Sequence, residues 1–374
     1  MYISLLLVAV FGLAWFLYEY FTREYDPFDV DIRNVQISIS FEDVEDTLKA
    51  AIQIDNQNKL LQVRQEIVSK DSELFDFWLL SSLGIDYDKD SIYTMRIRDL
   101  LKDPYTLQMD SLEESNFDIS NSWKNSVTDG FKRLKVHSEK ISPPSTIYFI
   151  NSWYGINAIY TNQPVTLPIG VVVLKKEGAL VVQKEKYLGS KVALINLQPE
   201  GLPPINQFLH TWITEKYQFR FLQRDIFEQW LETTVFFPNN SENEVVHELI
   251  RYGKILYFTH AAIPEIDLPS LFRYSSEEYE WAANREKMIW RYLIENELIF
   301  DAKDQTKYNL FYEGPFTQGL NEQEGENQSP DRIGKFIGYQ MVKSFMNKNA
   351  SENYGLQQLM EEPVESFYKN YKPE

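Results

Sequence analysis

The chain changes its hydrophobic period twice, and that constrains its fold more than any other feature. Between residues 145 and 197 lie short apolar runs of strand type: STIYFIN (145–151), NAIYT (157–161), TLPIGVVVL (166–174), ALVVQ (179–183) and KVALINL (191–197). Gly, Pro and Asn punctuate them, which predicts hairpins. On either side the apolar residues return at helical spacing: 41–68, 71–84 ending at Gly84, 91–104 stopped by Pro104, and 119–137 before the block. After it come 205–233, 242–260, 273–300 and 331–349. One more strand is predicted over 29–40, where Val30, Ile32, Val35, Ile37 and Ile39 alternate with a change of phase at Asn34. The expectation is an α+β fold, mostly helical with a small antiparallel β portion.

Two helices carry further detail. In 273–300, Ser275 and Glu278 have capping-box spacing, and Trp281, Met288, Ile289, Tyr292 and Leu293 fall on one face. Ser329-Pro330 reads as a helix start, Ser at the N-cap and Pro at the first helical position. In the helix that follows, Gly334 and Gly338 lie four apart, so one narrow strip admits another backbone at close range. Residues 317–331 are polar and acidic without periodicity and read as a solvent loop.

Residues 2–18, YISLLLVAVFGLAWFLY, carry no charge, and with Tyr20, Phe21 and Thr22 the run approaches the ~20 residues of a membrane span. No Lys or Arg precedes it, and the bulky WFLYEYF offers no small-x-small cleavage site, which favours an uncleaved anchor over a signal peptide. The expected organisation is an anchor over 1–22 and one α+β domain over 23–374. With only Arg23 and Arg33 nearby, the positive-inside rule gives little orientation.

Composition removes several functions. The 374 residues include 37 Lys and Arg against 55 Asp and Glu, a net charge of −18, and no basic cluster, which argues against nucleic-acid binding. There is no cysteine, hence no disulfide, thiol catalysis, iron–sulfur cluster or Cys-based zinc site. Aromatics at 15% supply a large core and exclude a disordered chain.

Catalytic templates do not assemble. VVHELIRYGK (245–254) begins like the HExxH helix of zinc peptidases, but Arg251 stands where the second histidine belongs. A guanidinium cannot ligate zinc. The other histidines are His137, His210 and His260, and the pair His247 and His260, thirteen apart, lacks one-turn geometry. No G-x-S-x-G elbow, Walker loop or dinucleotide fingerprint is present. Glu322, Glu324, Glu326 and Asp331 lack the residue order of a calcium loop. No enzyme activity, metal or cofactor is expected; a metallopeptidase-like hydrolase with ligands from His210, His247, His260 and nearby acids is the alternative.

LIRYGKILYFTHAAIP (249–264), REKMIWRYLIENELIF (285–300), GPFTQG (314–319), SPDRIGKFIGYQMVKSFM (329–346) and FYKNYKP (367–373) occur in that order. Together they resemble the gliding-motility lipoprotein GldB family of Bacteroidetes. The resemblance implies a periplasmic-side envelope protein of the gliding and type IX secretion machinery, acting on other envelope proteins. It also implies a distantly zincin-like scaffold without its metal ligands. Lipoproteins of that kind are anchored through a cysteine; this chain has none, so its N-terminal helix would take over the anchoring. Within the matching stretches Gly253, Tyr257, Trp290, Pro315, Phe316, Gly334 and Gly338 read as packing positions. Lys254, Arg332 and Gln340 are the candidate interaction residues, because polar groups in apolar helices need partners.

Overall fold

The structure is a computed structural model that describes residues 26–53, 57–153, 170–176, 178–194, 211–238, 243–320, 329–351 and 354–373. The proposed anchor, the strand predicted over 157–161, His210 and the acidic run 321–328 lie outside the described residues. No described helix is long and apolar enough to cross a membrane.

Among the described residues four strands form one sheet in the order β1-β2-β4-β3: β1 (Ser40–Asp43), β2 (Thr146–Ile150), β3 (Val171–Leu174) and β4 (Ala179–Gln183). The expected antiparallel portion is corrected to a mixed sheet. β1 pairs with β2 and β2 with β4 in parallel; only β3 and β4 run antiparallel, beside Gly178 at φ +62°. The sequence pattern points to hairpins because consecutive strands are short and closely spaced. The partner of β2, however, comes from before six helices, and parallel pairing needs a long crossover of that kind. Those helices are α1 (Val44–Gln53), α2 (Gln57–Lys70), α3 (Ser72–Phe75), α4 (Asp90–Lys102), α5 (Pro104–Asn116) and α6 (Asn121–His137).

Both faces of the sheet are covered, and the alternation in β2 and β4 divides their side chains between two cores. Tyr148, Ile150 and Val181 face a smaller core built with α1–α5 around Trp78, Tyr93 and Ile97. Ile147, Phe149, Leu180 and Val182 face the larger one. That core holds α6 and, after α7 (Thr211–Lys216), the C-terminal helices α8 (Phe219–Thr234), α9 (Val245–Ala262), α10 (Leu268–Phe272), α11 (Ser276–Ala283), α12 (Glu286–Glu295), α13 (Asp304–Phe311), α14 (Ile333–Asn349), α15 (Leu356–Glu361) and α16 (Glu365–Tyr368).

Several boundaries differ from the sequence reading. Residues 29–39 keep alternating exposure, Val35, Ile37 and Ile39 turned inward, but pair with no strand; a turn at Arg33 and Asn34 accounts for the change of phase. The 41–68 stretch begins as strand β1 before α1 and α2. Of 191–197, the described part is 3₁₀ helix, Gly189–Leu194. The 273–300 helix is three pieces. Its capping box at Ser275 and Glu278 is present, but Arg285 leaves helical geometry and Glu297 adopts φ +56° before a 3₁₀ turn, Leu298–Phe300. Ser329 and Pro330 do not open α14. Ser329 Oγ donates to the Thr317 carbonyl at 3.1 Å, and the Pro330 carbonyl accepts from Thr317 Oγ1 at 2.8 Å. The helix starts instead at Ile333, after Arg332 in the left-handed region at φ +51°. Gly84 does take the left-handed conformation expected of a helix-ending glycine, φ +63°.

Candidate functional site

α9 and α14 are in contact at their glycines. A Cβ on Gly338 would collide with the Leu249 carbonyl, one on Gly253 with the Gly338 carbonyl, and one on Gly334 would lie 2.6 Å from the Phe311 ring. The close approach expected of the Gly334/Gly338 strip is thus made to α9 and α13. Tyr257 is buried between Phe28, ring centroids 5.0 Å apart, and Tyr339 at 6.0 Å. Trp290 meets Tyr371 edge to face at 5.2 Å. Phe316 is half-buried and Pro315 exposed.

Two of the polar residues in these helices, Lys254 and Arg332, find partners inside the chain. Lys254 is buried, and its Nζ donates to the carbonyls of Glu362 (2.7 Å) and Met360 (3.3 Å) at the C-terminal end of α15, 5.2 Å from the Phe367 ring. An ammonium there answers the negative end of the helix. Gln340 is half-buried on α14.

Arg332 belongs to a buried ionic network that spans α7, α8, α10, α11 and α14. Lys335 pairs with Glu228 at 2.8 Å, Glu228 with Arg224, Arg224 with Asp225 at 2.6 Å, and Asp225 with Arg273 at 3.7 Å; Arg273 reaches Glu313 at 2.8 Å. A second branch runs from Arg332 to Asp331 (3.2 Å), Lys216 (3.5 Å) and Glu278 (2.7 Å). Arg273 Nη2 donates to the Lys216 carbonyl at 2.8 Å and ties the branches together. Tyr187 donates to Asp225, and Tyr217 to Glu313. The network contains five carboxylates and five cations, so its charge is balanced. Burial alone would raise the carboxyl of Glu228, but Arg224 and Lys335 hold it well below the usual range. Arg273 and Arg332 overcome burial at Glu313, and Arg332 and Lys216 do so at Asp331, so both are also lowered. These carboxylates stay ionised at neutral pH; they clamp helices and are poor proton donors or acceptors. Asp331, grouped by sequence with the acidic loop, therefore sits inside the core.

The HExxH-like segment opens α9. Arg251 Nε and Nη2 donate to Glu248 at 3.0 and 2.7 Å, and its Nη1 reaches Glu232 at 3.3 Å. His260 is at the other end of the same helix, with Nδ1 2.7 Å from the Tyr339 hydroxyl. Thirteen residues of helix place it roughly 20 Å from His247, too far to share an ion. Among the described residues no three His, Asp or Glu side chains are grouped to hold a metal.

Beside Arg251 lies an open cleft of about 530 Å³, lined by Glu232, Glu248, Arg251, Tyr252, Tyr308 and Tyr312 among others. The Tyr308 and Tyr312 rings stack at 5.3 Å with more than half of each residue exposed. Tyr252 joins the cleft to the ionic network: its hydroxyl donates to Glu232 at 2.9 Å, and Lys335 Nζ lies 4.3 Å from its ring. Sequence reasoning missed Lys216, Arg224, Asp225, Glu228, Arg273 and Glu313. The available signal was the set of charges inside the apolar run FRFLQRDIFEQWL (219–231).

The architecture is that of a helical α+β protein with a sheet between two cores and a charge-balanced clamp among its C-terminal helices. The family model of the gliding motility protein GldB matches residues 26–373, and the chain belongs to that family. It is a gliding-motility-related protein. No curated protein and no solved structure matches it.

Proposed function

We propose that the protein works without catalysis, as a membrane-associated envelope component that acts through protein contacts in the gliding machinery and its type IX secretion partner system. The observation that carries this reading is the division of labour in the C-terminal half. Gly253, Lys254, Arg332, Gly334 and Gly338 are spent on packing and internal ion pairs, and the accessible feature beside them is the tyrosine-lined cleft. In this reading the cleft receives a basic segment of a partner protein. The chain's net charge of −18 and the cleft's own balance, Glu232, Glu248 and Asp304 against Arg251 and Lys307, favour a cationic occupant, and the stacked tyrosines offer a face to its aliphatic stem or guanidinium. The N-terminal apolar run would serve as anchor, with residues 23–374 on the periplasmic side. The zincin-like ancestry implied by the resemblance is carried by helix α9, where Arg251 fills the ligand position.

Replacing Tyr308 and Tyr312 together with alanine tests the reading in a gliding bacterium that lacks its own family member. Loss of spreading at normal protein level is expected. Full motility at normal level would contradict the cleft as the contact.

A further inference from the structure

A second group of charged side chains lies at the C-terminal ends of the three parallel strands, away from the network described above. Asp43 ends β1; Glu45 and Lys49 follow on α1; Asp110 and Glu113 come from α5; Lys184 follows β4 directly. Lys184 Nζ lies 2.5 Å from Glu113, 2.9 Å from Asp43 and 3.2 Å from Glu45. Lys49 Nζ pairs with Glu45 and lies 2.9 Å from Asp110. Beyond β2, Asn151 Nδ2 donates to Glu113 at 2.8 Å, and Trp153, at the strained value φ +45°, donates its indole N–H to Asp110 at 3.0 Å.

Among the described residues the charges do not cancel. Four carboxyls face two ammonium groups, and Glu45, Asp110, Glu113 and Lys184 are each less than a tenth exposed. The next two residues, Glu185 and Lys186, are both buried and add one charge of each sign. Among the described residues, β2 and its continuation bring only Asn151, Ser152 and Trp153 to this end. A buried excess of negative charge is relieved by protonation when no further cation is supplied.

We propose that this site binds a proton on Glu45 or Glu113, the two carboxyls that flank Lys184, and acts as a pH-sensitive latch that holds α1 and α5 on the sheet. Burial pushes both carboxyls up against the opposing pull of Lys184, Glu45 to about 7 and Glu113 to about 8, with Asp110 and Glu45 respectively adding repulsion. The same carboxylates hold Lys184 charged, since they overcome its own burial. A carboxyl raised in the folded state contributes stability that is complete below the ordinary carboxylate range and is lost as pH rises through the shifted value. The latch is therefore closed in mild acid and loosens on passing from about pH 6 to pH 8. It joins α1 and α5, which lie far apart in the chain, so loosening is felt by the whole smaller core.

Hydrogen exchange on the full chain tests this, read at the amides of 44–53 and 104–116 after correction for the intrinsic pH dependence. Protection in these two helices should fall by up to tenfold per pH unit for each titrating carboxyl between pH 6 and 8. Protection in α9 should fall less. Glu113→Gln, which mimics the protonated acid, should flatten the profile; Glu45→Gln is the second variant should the first fail to fold. Equal protection at pH 6 and 8 in the unaltered protein would overturn the proposal, as would an unchanged slope in a folded Gln variant.

Discussion

The two buried ionic clusters use the same side-chain types and reach opposite states. In the C-terminal network five cations meet five carboxylates, and Glu228, Glu313 and Asp331 are held ionised. At the end of the sheet four carboxyls share two lysines, and burial dominates at Glu45 and Glu113. Burial is comparable: Asp331 and Glu45 are each almost wholly enclosed. What differs is stoichiometry. Guanidinium groups also supply several donors from one planar head, so Arg273 serves Asp225, Glu313 and the Lys216 carbonyl together. A lysine offers one point charge, and Lys184 must divide it among three acids.

The comparison is broken most severely by removing a cation from the balanced network. Arg224→Met takes away the cation that Asp225 and Glu228 share, leaving Arg273 at 3.7 Å from the first and Lys335 at 2.8 Å from the second, and should cost about 3–5 kcal/mol in chemical denaturation. Gly338→Ala, which touches neither cluster, is the packing control. It forces α9 and α14 apart and should cost about 1–3 kcal/mol with no change in the pH profile. Lys254→Met removes two hydrogen bonds to carbonyls at the end of α15 and should cost about 1–2 kcal/mol, seen first as faster exchange in 356–368. The sheet-end cluster should respond with the opposite sign: at pH 8 Glu113→Gln should raise the unfolding midpoint, because it removes a charge that the site cannot neutralise. A separate effect acts on the acid side. Burial holds His137 and His260 down to about 4, so each contributes stability present above the ordinary histidine range and lost as pH falls through about 4. From about pH 4 to 6.5 this histidine gain opposes the loss already under way at Glu45 and Glu113, so stability measured against pH should be nearly level to about 6 and decline toward 8.

What the sequence disclosed follows from locality. The capping box at Ser275, the left-handed Gly84 and the apolar strands β2 and β4 are set by a few neighbouring residues, and all are present. The Gly334/Gly338 spacing signalled a close backbone approach without naming α9 as the other side. Strand partnership was not legible, because β2 is flanked by β1 and β4 through a crossover that no local pattern encodes. Helix breaks at Arg285 and Glu297 interrupt an apolar face that is itself continuous, so periodicity alone could not place them. The clusters were least legible. Their members are ordinary surface residue types, and their burial depends on which helices meet. Arg224, Asp225 and Glu228 inside an apolar helix were the visible trace of one, and Lys184-Glu185-Lys186 directly after an apolar strand the trace of the other.

The contrast in protonation is tested most directly by a carboxyl-carbon NMR titration of the full chain, with resonances assigned through single Gln and Asn variants. The account predicts that Glu45 and Glu113 titrate well above the ordinary range, in the region of pH 7 to 8, while Glu228, Glu313 and Asp331 remain ionised below their ordinary values. Titration of all five carboxyls together near pH 4 would contradict it.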